Sequence, residues 1–343
     1  MLAVTKTRKE RGVEILERPE PSGPGEGHVL LEVGACGVCG TDLHFYEWVE
    51  HAGVEITLPR ILGHEVAGTV MECGARVDAV RPGDRVVTET WGGCGRCHLC
   101  RLGQFNLCEH QQRLGQAVDG GMTRYVLVPE LSLYKIPEAM PFDEAAVVEP
   151  AGVALHAFEL VEFKPGDSVA VVGPGPIGLL TAMVAGLAGA AQVIVVGLAA
   201  DAERLEAARR MGYEVISLDQ EDAAAATRAL TGGYGVDVVF DASGGSGTVT
   251  LAIDLVRPGG QVVLVGLSPP ATFDPSAAVV KEVAMRGAFR RQPVTWLRAI
   301  RLVASRRLDV RPLITDRLPV SRATEAFETL LERRGIKAVL TPD

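Results

Sequence analysis

Four cysteines fall within one short stretch, WGGCGRCHLCRLGQFNLC, as Cys94-x2-Cys97-x2-Cys100-x7-Cys108. Four soft thiolates at such spacings can close a tetrahedron around Zn2+, and the glycines between them (Gly92, Gly93, Gly95, Gly103) let the backbone wrap tightly around a small ion. A four-thiolate site leaves no coordination position open, so it is structural rather than catalytic. Paired disulfides are the competing reading. The short Cys-x2-Cys steps suit metal ligation better, and nothing in the chain points to an oxidising compartment. His98 lies between ligands and is not needed as one.

Length and composition narrow the remaining classes. A chain of 343 residues favours two domains over one. At 47% apolar and 22% charged residues, it can bury a large core and is not a disordered chain. A net charge of −9 argues against a nucleic-acid surface, which needs positive charge. The opening MLAVTKTRKERGVEI has no signal-peptide apolar run, and stretches such as 177–185 and 193–200 are too short to span a bilayer. The expectation is a cytoplasmic protein that binds neither nucleic acid nor membrane. Cys36 reads as a small core residue, and Cys73 has no evident partner.

The pattern changes near Pro150. Up to about residue 148 the chain has short alternating runs, at 28–33, 65–71, 85–88 and 124–128. Turn signals such as Pro-Gly-Glu-Gly (24–27) and Arg-Pro-Gly-Asp (81–84) punctuate them. From Ser168, apolar runs alternate with helical patterns: SVAVV (168–172), QVIVV (192–196), VDVVF (236–240) and QVVLV (261–265). That alternation implies βαβ units and a parallel sheet. A helical stretch follows at 295–308, then strand-like runs ending in KAVLT (337–341). We therefore expect a first domain over 1–148 carrying the cysteine lobe at about 90–110. A cofactor domain should cover 149–290, and the tail 291–343 should return to the first. Eight arginines between Arg286 and Arg311 read as a solvated helix face or a subunit contact, with a phosphate-bearing partner as the alternative.

Gly173-Pro-Gly175-Pro176-Ile177-Gly178 follows the strand SVAVV and opens a helix. In that setting the three glycines form a dinucleotide fingerprint: a tight turn at Gly173, an approach path for pyrophosphate at Gly175, close helix–sheet packing at Gly178. The helix N-terminus offers free N–H groups to the diphosphate. An acid is expected at the end of the next strand to bind the ribose 2′-hydroxyl, but Gly197 stands there. Asp201 is near enough to reach back. Arg204 is near enough to attract a 2′-phosphate, and equally explicable as a solvated helix residue. NAD and NADP both remain open.

Three further segments carry zinc-ligand residue types: Cys39 in GVCGTDLHFY, His64 and Glu65 in ILGHEVAG, and Glu149 in VVEPAG. On spacing alone this is a weak motif. Taken in order, however, GVCGTDLH (37–44), GHE (63–65), the four-cysteine lobe, EP (149–150) and GPGPIG (173–178) resemble the zinc-containing medium-chain alcohol dehydrogenases. The likeness is to the polyol (sorbitol-type) and threonine dehydrogenase branch, and it covers essentially the whole chain.

The resemblance implies α/β and β architecture: a GroES-like catalytic domain plus a Rossmann cofactor domain with a doubly wound parallel sheet. It implies zinc (two per chain), NAD or NADP, and a homotetramer, in some members a homodimer. By it, Cys39 and His64 ligate the catalytic zinc, and Glu65 and Glu149 complete the shell directly or through water. Thr41 can hydrogen-bond the substrate oxygen. His44, of a residue type that titrates near neutrality, can pass the proton outward. Asp42 reads as a turn residue holding the loop, and His156 is as readily structural as functional.

The function expected is hydride transfer between a secondary alcohol, polyol or sugar-derived, and NAD(P). L-Threonine 3-dehydrogenase is the alternative, suggested by the aromatic run His44-Phe-Tyr-Glu-Trp48, while EPAGVALHA (149–157) looks closer to the polyol branch. A zinc-free reductase of the same fold is disfavoured by the full ligand set. So is a non-enzymatic cofactor-binding structural protein, which needs neither proton relay nor two zinc sites.

Overall fold

The structure, a computed structural model, describes residues 1–49 and 55–343. Its chain divides into two compact units: Met1–Glu149 with Gln292–Asp343, and Pro150–Arg291. The first break falls one residue later than the sequence pattern suggests, because Glu149 groups with the segment before it.

The first unit is built on a seven-stranded sheet. Its order runs Ile314–Pro319, Lys337–Thr341, His28–Gly37, Glu65–Cys73, Arg85–Thr88 and Leu133–Lys135, with Tyr125–Pro129 also paired to His28–Gly37. A three-stranded sheet of Glu14–Glu17, Leu2–Lys6 and Arg60–Ile61 accompanies it. In the long strand His28–Gly37, Val29, Leu31 and Val33 are buried while the residues between them are not, as a period of two requires when one face covers a core. That core also takes Phe45, Tyr46, Leu62, Met122 and Phe327. Strand Lys337–Thr341 lies antiparallel to His28–Gly37, so a late segment becomes an interior strand beside an early one.

The second unit has six parallel strands in the order Glu214–Ser217, Gln192–Gly197, Ser168–Val172, Val236–Asp241, Val256–Leu264, Ala284–Gly287. Counted along the chain this is 3-2-1-4-5-6, the doubly wound arrangement of dinucleotide-binding domains. Val169–Val172 are wholly buried, which accounts for a continuous apolar run rather than an alternating one.

The helix expected over 295–308 runs Pro293–Ala304. It buries Thr295, Trp296, Ala299, Ile300 and Val303, leaving Arg298 and Arg301 on its exposed face. It stops early because Arg306 takes a left-handed backbone at φ 56, which a helix cannot continue through. No helix among the described residues is long and apolar enough to cross a membrane.

Candidate functional site

In the first unit the four lobe cysteines converge, their sulfurs all within 4.8 Å of one another. Cys94–Cys100 and Cys97–Cys108 Sγ···Sγ distances are both 4.0 Å. That is twice a disulfide bond and close to the edge, about 3.8 Å, of a tetrahedron with 2.3 Å Zn–S bonds. All seven cysteines are free thiols. Backbone N–H groups of Cys94, Cys97 and Cys100 donate to the sulfurs of Cys108, Cys94 and Cys97 at 3.4, 3.4 and 3.5 Å. Such donors favour thiolate: the N–H groups of Arg96 and Cys97 bring Cys94 down to about 6. Burial instead pushes Cys100 up to about 12. Ionising all four together takes a cation in their midst, and this donor set fits zinc. His98 is exposed, apart from the cluster.

The second convergence draws on distant segments. Cys39 precedes the helix Gly40–Glu47, and His64 and Glu65 stand at the start of strand Glu65–Cys73. One donor atom from each lies within 4.8 Å of the others. Gly37 pairs with Glu65 across the sheet, which brings Cys39, two residues on, beside His64. Asp42 is fully buried and binds this turn together. One of its oxygens accepts from Cys39 N–H at 3.0 Å, and the other accepts from Gly63 N–H at 3.3 Å and lies 3.9 Å from His64 Nδ1. Burial alone would pull the His64 imidazole down, but Cys39, Asp42 and Glu149 raise it to about 10. A site that holds a proton so firmly is short of positive charge, and a divalent cation supplies it. The Cys, His and carboxylate donors fit zinc with room for an exchangeable position.

Glu149 is not within this close group among the described residues. It is buried in the first turn of the helix Val148–Glu159, where its Oε1 accepts from the Thr90 hydroxyl at 3.2 Å. Thr41 and His44 lie on the helix that Cys39 begins, both half-buried. The aromatic run after His44 is largely structural. Phe45 is buried, Tyr46 stacks on Phe327 at 5.1 Å and donates to Glu328 at 2.5 Å, and Trp48 faces the Lys6 ammonium at 5.4 Å. Cys36 is a buried core residue. A cavity of about 510 Å3 in this unit is lined by Arg18, His28, Trp91, Asp119 and Tyr125 among others, and by none of the residues of the two convergent donor sets.

In the second unit the glycine loop leaves strand Ser168–Val172 and enters the helix Pro176–Ala188. Gly173 has φ +97, and a Cβ there would stand 2.8 Å from the Ser243 backbone. A Cβ on Gly178 would meet the Gly173 carbonyl oxygen at 1.8 Å, so a side chain would push helix from strand. At Gly175 a Cβ meets nothing within 4 Å, which leaves the loop open where a pyrophosphate would approach, with Pro176 and Ile177 starting the helix. Asp201 turns into its own loop, accepting from Leu198 N–H at 3.1 Å, with Arg204 3.9 Å away. The space beside Gly197 is filled: a Cβ there would meet Pro174 at 2.8 Å and Leu205 at 2.9 Å. His156 is buried in this unit, and burial lowers its imidazole.

Sequence reasoning missed Lys337 and Gly37, which flank Glu65. A lysine in an otherwise apolar strand run was the available signal for the first.

Comparison with known proteins agrees with these geometries. Residues 25–138 match the alcohol dehydrogenase GroES-like domain, and residues 176–305 match the zinc-binding dehydrogenase family. A sorbitol dehydrogenase of Halalkalibacterium halodurans is 36% identical, covering 100% of this chain and 99% of that protein. An L-threonine 3-dehydrogenase of Pyrococcus horikoshii is 38% identical over 99% and 98%. A crystal structure of a zinc-binding dehydrogenase from Sinorhizobium meliloti bound to NADP superposes with a TM-score of 0.87 at 32% identity, covering 99% of both chains. With its GroES-like unit, its doubly wound cofactor unit and both thiol-bearing donor sets, the chain belongs to the zinc-containing medium-chain alcohol dehydrogenases, in the branch of the polyol and threonine dehydrogenases.

Proposed function

We propose that this zinc-dependent NAD(P)-linked oxidoreductase interconverts a polyol or sugar-derived secondary alcohol and its ketone. The observation that carries the reading is the convergence of Cys39, His64 and Glu65 at the start of the helix bearing Thr41 and His44. These three side chains would hold the catalytic zinc, with Glu149 as a further carboxylate, and the lobe cysteines would hold a second, structural zinc. Zinc, when bound, supplies Lewis acidity that lowers the pKa of the substrate hydroxyl. Thr41 orients the substrate oxygen, and His44 carries the released proton outward. Gly173, Gly175 and Gly178 seat the dinucleotide diphosphate at the helix N-terminus.

The two cofactors are distinguished at the end of strand Gln192–Gly197. Glycine in place of an acid at position 197, with Asp201 bonded into its own loop, weakens the repulsion of a 2′-phosphate, and the site accepts NADP as well as NAD. Gly197→Asp alone would collide with Pro174, so the informative variant is Pro174→Ala/Gly197→Asp, expected to move kcat/KM toward NAD.

Initial rates across a panel of polyols, polyol phosphates and L-threonine, each with NAD and NADP, test the whole reading. A polyol should give the highest kcat/KM. Turnover of L-threonine alone would reassign the substrate, and no turnover of any alcohol would end the reading. We further propose a cytoplasmic homotetramer or homodimer. Free thiols throughout suit a reducing compartment. The edge strand Ala284–Gly287 and the exposed Val279 and Val280 suit burial against a second copy.

A further inference from the structure

Lys337 is among the largest wholly buried side chains, at 2% exposure, within a dehydrogenase core. Its ammonium has two hydrogen-bond acceptors and one further charged contact. It donates to the Val38 carbonyl at 2.9 Å and to Glu65 Oε1 at 2.6 Å, and it also contacts Glu65 Oε2. Lys337 and Glu65 lie on strands either side of His28–Gly37, and Val38 is the residue just past the end of that strand. Val339 pairs with Gly37, and Gly37 pairs with Glu65, so one rung of the sheet runs from the C-terminal strand to the metal donors. Gly37, in the middle, leaves the room the pair occupies. A Cβ there would stand 2.0 Å from Glu65 Oε2 and 3.1 Å from Lys337 Cε, between the two charges.

A buried ion pair by itself is weak evidence for any role, since desolvation offsets most of its attraction. What distinguishes this one is what it grips. The Val38 carbonyl belongs to the residue before Cys39, and Glu65 is itself a donor and follows His64. Groups that orient a metal's ligands from behind typically govern affinity by 10–100-fold.

We propose that Lys337 is a positioning residue of the metal site: by clamping the Glu65 carboxylate and the turn into Cys39, it holds the three donors in place before the ion arrives, and so sets how tightly that ion is kept. The inference rests on the reading of Cys39, His64 and Glu65 as ligands.

The test is zinc binding by the full chain, measured as zinc per chain and as zinc lost to a chromogenic chelator. Wild type should hold two. Lys337→Met should weaken one site by about 10–100-fold and leave the other unchanged. Gly37→Ala, which keeps both charged residues but separates them, should do the same and serves if Lys337→Met does not fold. Glu65→Gln/Lys337→Met should lose clearly less affinity than the two single losses combined, because the lysine acts in large part through the glutamate. A wild type holding only one zinc would refute the ligand reading itself. Two zincs in wild type, with unchanged affinity in Lys337→Met or Gly37→Ala, would overturn the role of Lys337 and leave the ligand reading standing. Additive losses in the double variant would overturn it too.

Discussion

In the Cys94–Cys108 lobe the candidate ligands are neighbours along the chain, and the backbone orients them through N–H groups pointed at sulfur. At Cys39, His64 and Glu65 the candidate ligands come from the ends of different strands, and buried polar side chains hold them: Asp42 behind Cys39 and Gly63, Lys337 behind Glu65. The lobe has little core of its own, three buried cysteines with Trp91, Leu99 and Phe105 around them, so its ion substitutes for apolar burial. The dispersed site is framed by a seven-stranded sheet that has its own reasons to fold. The same element should therefore do opposite work in one unit: fold the lobe, and serve reactivity at the sheet.

The sharpest way to break this contrast is to remove one ligand from each site. Cys39→Ser should lower turnover by at least about a thousandfold, the several kcal/mol a catalytic metal supplies. It should lose one zinc of two while the urea midpoint stays nearly unchanged. Cys97→Ser should do the reverse, costing about 3 kcal/mol or more in urea titration. The protein that remains folded should keep near-normal kcat. If both variants lose stability alike, the division of labour is wrong.

Smaller changes sharpen the comparison. Asp42→Ala leaves the N–H groups of Cys39 and Gly63 without their buried acceptor. It should cost about 1–3 kcal/mol of stability and weaken zinc at the dispersed site by about tenfold or more, with the lobe zinc retained. His44→Gln should have the smallest effect, since His44 belongs to the dispersed site without being a ligand. Alcohol oxidation should fall roughly tenfold below neutral pH, with cofactor KM unchanged and partial rescue by imidazole buffers. A pH–rate profile identical to wild type would remove His44 from proton transfer.

The same contrast explains what the sequence discloses. The lobe was legible because its four ligands lie within one short segment, where spacing is geometry. The glycine loop was legible because strand, turn and helix are consecutive. Cys39, His64 and Glu65 emerge only when the order of motifs is matched to a family, since spacing over that range carries no distance. Lys337 left only one sign, a lysine opening the apolar run KAVLT, and only the register Val339–Gly37–Glu65 brings its ammonium to the carboxylate. Asp201 shows what proximity in sequence leaves out: it is near the strand end, and one of its oxygens accepts a local hydrogen bond from Leu198 N–H.

The split make-up of the first unit also sets a timetable. Because Gln292–Asp343 rejoins Met1–Glu149, a ribosome must deliver all of Pro150–Arg291 before the strand bearing Lys337 exists. A nascent chain can thus close the cysteine lobe around its ion while synthesis continues, whereas the clamp on Glu65 can form only near the end of translation. The scaffold site can be complete before the clamp exists, and zinc held at the working site should tighten only as the last strand arrives.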